Sequence, residues 1–277
     1  MEIVELGSGA IAVLRPEEGA NVGLIETAAG AVVIDTTSSP SDMRAVLDAA
    51  GLSATDAVLV INTHSHSDHT WGNQLFSCPI LAHEQCRAAM AANLEGPWKL
   101  ETIRAQIAAR GAREPQWAAE MRHKIEGIEI ALPTETLGER RNLKIGGVQI
   151  EVIHLDAHSP GLCVVWLPEA GVLYASDLIF QGRYPFIGDA DLSELISVLG
   201  RLPEFGAQAI VPGHGLLCGE EEIEALRSYY HQTWARTIDH LAQGHSADEA
   251  AADPGYPHYA QGAADRYHET NIRLVYQ

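Results

Sequence analysis

Short apolar runs rich in β-branched residues recur along the chain, and segments of helical periodicity separate them. The runs that predict strands are 10–14, 22–26, 30–35, 57–61, 79–82, 141–155 with a turn at Gly146-Gly147, 162–167, 172–175 and 209–211. Apolar spacing predicts helices over 40–50, 191–201 and 220–242, and a mostly helical stretch over 84–126. Strands that alternate with helices in this order predict an α/β fold in which sheet layers are covered by helices.

The chain is long enough to bury one large core, with 277 residues of which 46% are hydrophobic. We expect a single domain over 1–277, with a helical insertion at about 84–130 and a C-terminal helical segment at about 220–277. Residues 246–262 are rich in Ala, Asp, Gly and Pro, which predicts a loop.

The charge of the chain limits its partners. It has 18 basic and 37 acidic residues, a net charge of −19, so a nucleic acid or an anionic membrane surface would be repelled. We expect a small-molecule substrate, no nucleic acid and no membrane partner, and the sequence leaves homo-oligomerisation open. The four cysteines show no paired close spacing, and no export signal or apolar run of about 18 residues is present, which favours the cytoplasm.

A dense group of polar residues follows the apolar run 57–61 directly. The segment Thr63-His64-Ser65-His66-Ser67-Asp68-His69-Thr70 holds four potential metal ligands within six residues. Imidazole and carboxylate groups suit zinc and related divalent ions, and a loop leaving a rigid strand can direct alternate side chains to one point. His64 and His66 can therefore share one ion, while Asp68 and His69 can reach a second.

Three further residues follow strand candidates in the same way. They are His158 in Asp156-Ala157-His158-Ser159-Pro160-Gly161, Asp177 in Tyr174-Ala175-Ser176-Asp177, and His214 in Val211-Pro212-Gly213-His214-Gly215. Each has an ordinary structural explanation when taken alone, such as a helix N-cap for Asp177 or a turn residue for His158. Together with the segment 63–70, they favour a metal site.

With the His-x-His-x-Asp-His motif at 64–69 followed by His158, Asp177 and His214, the sequence resembles the metallo-β-lactamase superfamily. The resemblance covers most of residues 1–220, with 21–35 as the opening strands. It implies an αββα four-layer sandwich with the site at one edge of two facing sheets. It also implies that His64, His66 and His158 hold one metal, that Asp68, His69 and His214 hold the second, and that Asp177 bridges them.

The carboxylate at Asp177 indicates which enzyme classes of the superfamily this sequence resembles most. Many zinc β-lactamases have Cys at the matching position or lack the bridge, so the pattern is more similar to that of glyoxalase II thioesterases and lactonases. RNase Z nucleases share the pattern, but the acidic charge of this chain disfavours them. Persulfide dioxygenases have this fold and use iron in the first site alone, so the complete second set of ligands argues against that class.

Two divalent ions roughly 3.5–4 Å apart can share one hydroxide and lower the pKa of water toward about 7. We expect two ions, zinc first with iron or manganese as alternatives, and Asp68 as the catalytic residue that orients this hydroxide and moves its proton. The expected reaction is hydrolysis of a small ester, thioester, lactone or amide. The alternatives are a non-haem iron oxidoreductase similar to the persulfide dioxygenases, a β-lactamase, and a non-catalytic binding protein of the same fold.

The candidates for the substrate pocket are Trp98, Trp117, Arg183, Tyr184 and Phe186. Aromatic residues in helices belong to a core more often than to a ligand site, so these are weaker candidates than the metal ligands. Asp189 and Asp191 are interpreted as a loop residue and a helix N-cap. His83 is interpreted as structural, and His154 as a candidate to support the metal ligands.

Overall fold

The computed structural model describes residues 1–17, 19–259 and 267–276. Its strands are β1 (Glu2–Gly7), β2 (Ala10–Leu14), β3 (Val22–Thr27), β4 (Gly30–Ile34), β5 (Ala57–Ile61), β6 (Ile80–His83), β7 (Glu135–Leu137), β8 (Arg140–Ile145), β9 (Val148–His154), β10 (Cys163–Leu167), β11 (Val172–Phe180) and β12 (Ala209–His214). Its helices are α1 (Pro40–Ala49), α2 (Ser67–Thr70), α3 (Glu84–Leu94), α4 (Leu100–Gly111), α5 (Pro115–Lys124), α6 (Leu192–Arg201), α7 (Glu220–Ala242), α8 (Ala247–Ala251) and α9 (His268–Val275).

The strands form two sheets. The first has the order β1-β2-β3-β4-β5-β6-β7, antiparallel from β1 to β4 and parallel from β4 to β7. The second has the order β12-β11-β10-β9-β8, with β11 and β12 parallel. Asn21, just before β3, donates from Nδ2 to Pro212 O and Gly215 O, each at 2.9 Å. The first sheet is thereby joined to the end of β12.

The two sheets pack face to face, and helices cover both outer faces. Apolar residues of β2 to β5 meet those of β9 to β12 in the core between the sheets, for example Ile61 and Val165. Met43 and Val46 of α1 pack on the outer face of the first sheet. Residues of α6 and α7, such as Leu195, cover the second sheet. The predicted αββα sandwich is confirmed.

Several elements differ from the prediction. β1 was not predicted because most of its side chains are exposed, and β7 because it has only three residues. β11 continues to Phe180 instead of ending near Ala175, because all nine of its residues are buried. The predicted helical stretch is divided into α3, α4 and α5, at the turn that contains Gly96-Pro97 and again before Pro115.

The loop predicted over 246–262 contains a helix. α8 begins after Ser246, which forms a capping box with Glu249. Residues 260–262 lie outside the described part of the chain. The interpretation of 1–277 as one domain, with an insertion at 84–130 and a C-terminal segment from 220, stays a prediction. Within the described residues, no helix has the length and apolar content needed to cross a membrane.

Candidate metal centre

The predicted ligands leave the ends of strands at one edge of the sandwich. β5 ends at Ile61, and the chain then passes through His64 to His66, which precedes the four-residue helix α2. Asp68 and His69 lie within α2, so their side chains turn away from the strand direction. Because the chain changes from an extended to a helical conformation here, four ligands from one short segment can face two neighbouring points.

The other three residues come from the second sheet. His158 lies in the turn between β9 and β10, and His214 is the last residue of β12. Asp177 lies within β11, not after it, at a point where the pairing with β12 changes register. Ser176 has φ 54°, and this irregularity directs the next side chain to the site.

The first group of ligands consists of His64, His66, His158 and Asp177, whose nearest ligand atoms all lie within 4.8 Å of one another. Asp177 Oδ2 lies 3.6 Å from His64 Nε2 and 3.4 Å from His158 Nε2. His66 Nδ1 lies 3.2 Å from His158 Nε2. The three imidazoles thus surround one point beside one carboxylate oxygen.

The second group uses the other oxygen of the same carboxylate. Asp177 Oδ1 lies 3.1 Å from His69 Nε2 and 3.6 Å from His214 Nε2. His214 Nε2 also lies 3.4 Å from Asp68 Oδ2, and Asp68, His69 and His214 form a compact set of their own. Asp177 therefore lies between the two groups, with one oxygen turned to each.

Buried atoms without hydrogen-bond partners show that this arrangement suits metal ions. His64 Nε2, His69 Nε2 and Asp177 Oδ1 are buried and form no hydrogen bond with the described residues, although His69 Nε2 and Asp177 Oδ1 lie 3.1 Å apart. His66 donates from Nε2 to Asp189, so its Nδ1 directs a lone pair at the neighbouring ring of His158. An unsatisfied buried polar atom costs about 1–3 kcal/mol, a cost that a cation in each group would remove. These residues fit a dinuclear metal site.

Two histidines of the first group are held in the protonation state that binds metals. Burial, followed by the nearby His69, lowers the pKa of His64 well below its usual value. Burial also lowers the pKa of His158 to about 3. Both rings are therefore neutral at pH 7, as metal coordination by imidazole requires.

Carboxylates dominate the second group. Burial lowers the pKa of His69, but Asp177, Asp35 and Asp68 outweigh it and hold that pKa well above the usual value. Burial raises the pKa of Asp177, but His69 and His214 outweigh it and hold that pKa well below its usual range. This concentration of negative charge favours a divalent cation.

Asp35 supports His69, a role that the sequence analysis did not identify. Its Oδ2 accepts from His69 Nδ1 at 2.7 Å and from Thr63 Oγ1 at 2.7 Å, and its Oδ1 accepts from Thr63 N at 2.8 Å. The bond to Nδ1 leaves Nε2 of His69 free to face Asp177. Asp35 follows β4 as the ligands follow their own strands, a signal that could have revealed it.

Other hydrogen bonds fix His64 and His66. Thr63 Oγ1, which donates to Asp35, lies 3.1 Å from Nδ1 of His64 and accepts from it. Asp189 Oδ2 accepts from His66 Nε2 at 2.8 Å, although these residues are 123 positions apart. Asp189 is thus more than the loop residue that the sequence suggested, since its bond selects the His66 nitrogen that faces the site.

Gly213 allows the close approach of β11 and β12 at the centre of the site. A Cβ built on Gly213 would overlap the carboxylate of Asp177. Any side chain at this position would therefore displace Asp177 from its place between the two groups.

A cleft of about 580 Å³ opens above the two groups of ligands. Asp68, Asp177, His66 and His214 form part of its floor. Its apolar side chains are Trp98, Phe180, Phe186 and Tyr267, and its cations are Lys124 and Arg183. The Phe180 ring stacks on His214, with the ring centroids 5.1 Å apart. The cleft thus combines apolar walls with two positive charges over a negatively charged floor.

The structure brings three of the five predicted pocket residues to this cleft: Trp98, Arg183 and Phe186. It does not bring Trp117 and Tyr184 there. Trp117 packs with the helices α4 and α5 and lies under the Arg110 guanidinium at 4.0 Å. Tyr184 is buried in the core, where its hydroxyl lies 2.9 Å from His258 Nδ1.

The structure also shows the positions of Asp191, His83 and His154, for which the sequence predicted supporting roles. Asp191 is the N-cap of α6, as predicted, and accepts from Glu194 N. His83 is the N-cap of α3, which fits its structural interpretation. His154 stacks on the ring of His83 at 3.9 Å, and no hydrogen bond joins it to a metal-ligand candidate in the described residues.

Three known proteins are similar to this chain in sequence. An acyl-coenzyme A thioesterase, MBLAC2 of Bos taurus, is 25% identical over 76% of this chain and 78% of its own. A hydroxyacylglutathione hydrolase of Rhodospirillum rubrum is 24% identical over 72% and 60%. A linear primary-alkylsulfatase of Pseudomonas is 24% identical over 92% of this chain but 54% of its own.

Solved structures share the fold. A metallo-beta-lactamase family protein of Thermus thermophilus has a TM-score of 0.67 at 20% identity, over 98% of this chain and 91% of its own. The sec-alkylsulfatase Pisa1 of Pseudomonas has a TM-score of 0.75 at 20% identity, over 99% and 49%. The sequence model of the metallo-beta-lactamase superfamily matches residues 15–214, which include all seven ligand candidates. The chain belongs to the metallo-beta-lactamase superfamily.

Proposed function

We propose that this protein is a dinuclear metal-dependent hydrolase with two zinc ions as cofactor. Water attacks the carbonyl carbon of an ester or thioester, and the C–O or C–S bond breaks to give a carboxylic acid and an alcohol or thiol. The observation that carries the proposal is the carboxylate of Asp177, whose two oxygens face two separate groups of histidines. His64, His66 and His158 would hold the first ion, and Asp68, His69 and His214 the second. Bound there, the two ions supply an activated water and polarise the carbonyl group.

Side chains around the ions would accept the proton and shape the cleft. Burial raises the pKa of Asp68, but His69 and His214 outweigh it and hold that pKa below its usual range. Its carboxylate lines the cleft and is ionised, so it can accept a proton from the attacking water at its free oxygen. Phe180 and Trp98 give the sides of the cleft an apolar surface.

Arg183 gives the cleft a cation that suits an anionic group of the substrate, although Glu17, Asp68, Asp177 and Asp189 also line the cleft. Arg183 lines the cleft, and it makes no ion pair within the described ranges 1–17, 19–259 and 267–276. A guanidinium group pairs well with a carboxylate or a phosphate. Thioesters and esters come first among carbonyl substrates because two of the relatives are named as a thioesterase and a hydroxyacylglutathione hydrolase.

Turnover of a substrate panel by the zinc-loaded protein tests this proposal. The panel contains thioesters, esters, a lactone, a cephalosporin and an alkyl sulfate. We expect hydrolysis of at least one thioester or ester. Cleavage of the alkyl sulfate or the cephalosporin alone would contradict the proposed reaction, and so would oxygen consumption by an iron-loaded protein without hydrolysis.

Replacement of Asp68 tests the role of this side chain. We expect Asp68→Asn to lower kcat by roughly 10²–10⁴-fold because the amide accepts no proton. Asp239→Asn makes the same change at an exposed position on α7 and should leave kcat unchanged. Wild-type turnover by Asp68→Asn would remove Asp68 from the proposed mechanism.

A further inference from the structure

A second concave surface lies next to the metal cleft, between the C-terminal end of α3 and the segment after α5. This tail groove has a volume of about 500 Å³, and its apolar lining consists of Leu94, Trp98, Leu100, Ile128 and Ile130. Three exposed charged residues complete the lining. The groove lies outside the two groups of metal-ligand candidates.

The cleft and the tail groove share a wall. Trp98 lines both of them. On α3, Asn93 faces the cleft while the next residue, Leu94, faces the groove. Lys124, the last residue of α5, lines the cleft, whereas residues 128–130 line the groove. The two cavities therefore follow one another along the same helices, and Trp98 lies where they meet.

The apolar lining of the groove is partly open to solvent, mainly at Leu100. Leu100, at the first turn of α4, is 38% exposed. The Trp98 ring is only partly buried and packs edge-on against Trp71, with ring centroids 5.7 Å apart. Trp71 directly follows α2, so this aromatic pair connects the groove to the segment that carries Asp68 and His69.

We propose that the tail groove binds an aliphatic chain of the substrate while the carbonyl group lies in the metal cleft. The inference rests on the proposed function and specifies its substrate class as esters or thioesters of medium-length, unbranched acyl groups. A short acyl group fills the cleft alone, whereas a longer chain continues past Trp98. Leu100 and Ile130 then determine the preference for chain length.

The charges fix the direction of the chain. Glu101 and Glu129 lie at the groove together with Lys99, whose Nζ lies 3.8 Å from Glu95 Oε2. The two carboxylates would repel an anionic group there. Arg183 lies in the cleft, and so does Lys124, whose Nζ lies 3.3 Å from Asp42 Oδ2. An amphiphile with a carboxylate therefore binds with its polar end in the cleft and its apolar end in the groove.

Binding of two carboxylic acids to the full-length zinc-loaded protein tests the groove without any turnover. Isothermal titration calorimetry compares butanoate with decanoate. Each methylene group that is fully buried on binding increases the affinity by up to about fourfold. Because the groove is open on one side, we expect about twofold for each methylene. Decanoate, with six more methylenes, should then bind roughly sixtyfold more tightly than butanoate. Equal affinity for the two acids would overturn the proposal.

A matched pair of variants tests whether the aliphatic chain of decanoate binds in the groove. Leu100→Glu places a charge in the groove and should remove most of the advantage of decanoate over butanoate. Leu241→Glu makes the same change at a leucine on α7 that is 46% exposed, and it should keep the full advantage. If both variants lose this advantage equally, the aliphatic chain of decanoate binds elsewhere or unspecifically. That result would overturn the proposal.

Turnover of acyl thioesters from two to twelve carbons separates this inference from the proposed function. We expect kcat/KM to rise with chain length in the wild type and to flatten in Leu100→Glu. Hydrolysis without any dependence on chain length would leave the proposed function standing and refute the groove. Chain-dependent binding of the acids without hydrolysis of any thioester would support the groove and refute the hydrolase.

Discussion

Asp35 shows how one buried side chain can control a neighbouring ligand. Its carboxylate accepts three hydrogen bonds, two from Thr63 and one from His69 Nδ1. It also has a φ of 63°, a conformation that Asn tolerates better than most residues. Asp35→Asn therefore keeps the backbone and the volume but replaces one of the two accepting oxygens with an NH2 group that only donates.

We expect Asp35→Asn to weaken metal binding in the group of Asp68, His69 and His214 by roughly 10–100-fold, because the His69 ring loses its orientation. Competition with a chromophoric chelator measures this affinity. Asp239→Asn, exposed on α7, serves as the control and should bind as the wild type does. An unchanged affinity in Asp35→Asn would show that the hydrogen bond to His69 does not support the metal site.

The bond between Asp189 and His66 should matter less. The side chains of His66 and Asp189 are 20% and 55% exposed, so water can replace a lost partner. We expect Asp189→Asn to weaken binding of the first ion by roughly threefold to tenfold. Asp191→Asn is the control, because Asn caps a helix as well as Asp does. A loss in Asp189→Asn as large as that in Asp35→Asn would contradict this ranking.

The sequence revealed the ligand candidates better than the residues that support them. The seven ligand candidates combine a dense motif with a repeated position after apolar runs. Asp35 shares that position and could have been recognised, but it lies far along the chain from any His. Asp189 gives no local signal, since its partner His66 is 123 positions away. Long-range pairs of this kind depend on the packing of the two sheets.

At the scale of elements, Asp42 connects α1 to α5. Its Oδ2 accepts from Ser38 Oγ at 2.8 Å and lies 3.3 Å from Lys124 Nζ and 3.9 Å from Arg15 Nη2. Burial raises the pKa of Asp42, but the Ser38 hydrogen bond and the two cations outweigh it and lower that pKa below 3.8. The ionised carboxylate therefore stabilises the folded state above about pH 4, and this contribution is lost as the pH falls through the lowered pKa.

Asp42→Asn should reduce the free energy of unfolding by about 1 kcal/mol at pH 7, and the difference from the wild type should shrink below pH 4. Urea unfolding of both proteins at several pH values measures this difference. Asp48→Asn changes an exposed position on the same helix and should have little effect at any pH. A difference that grows as the pH falls would contradict the assigned role of the carboxylate.

Strands and helices were predictable where burial imposes a pattern. The turn Gly146-Gly147 between β8 and β9 is present, with φ values of 52° and 95° that glycine adopts easily. β1 was not predicted because most of its side chains are exposed and its apolar and polar residues alternate only weakly. α8 was readable from its capping box, but the Ala- and Gly-rich composition around it outweighed that local signal.

At the scale of the whole molecule, the order of elements predicts the sandwich but not the cleft. The lining of the cleft includes Asn93, Lys124, Arg183 and Tyr267, which come from four distant segments of the chain. No periodicity connects such residues. The walls of the cleft therefore depend on how the helices between β6 and β7 pack against the sheets, which the sequence alone does not predict.

Removal of metal should destabilise the whole fold. The site joins both sheets and buries His64, His69, His158 and Asp177 together. An ion that binds only the folded state at a thousand times its Kd adds about 4 kcal/mol to the free energy of unfolding. We therefore expect a chelator to lower the melting temperature by several degrees, measured by circular dichroism, and added zinc to restore it. An unchanged melting temperature would argue against tightly bound ions.

The number of metal ions that one chain binds tests the central claim most directly. In a zinc titration followed by native mass spectrometry, we expect the wild type to reach two ions per chain. Asp177→Asn should weaken both binding steps, because both groups share this carboxylate. Saturation of the wild type at one ion, or an Asp177→Asn protein that binds two ions as tightly as the wild type, would contradict the bridged dinuclear centre.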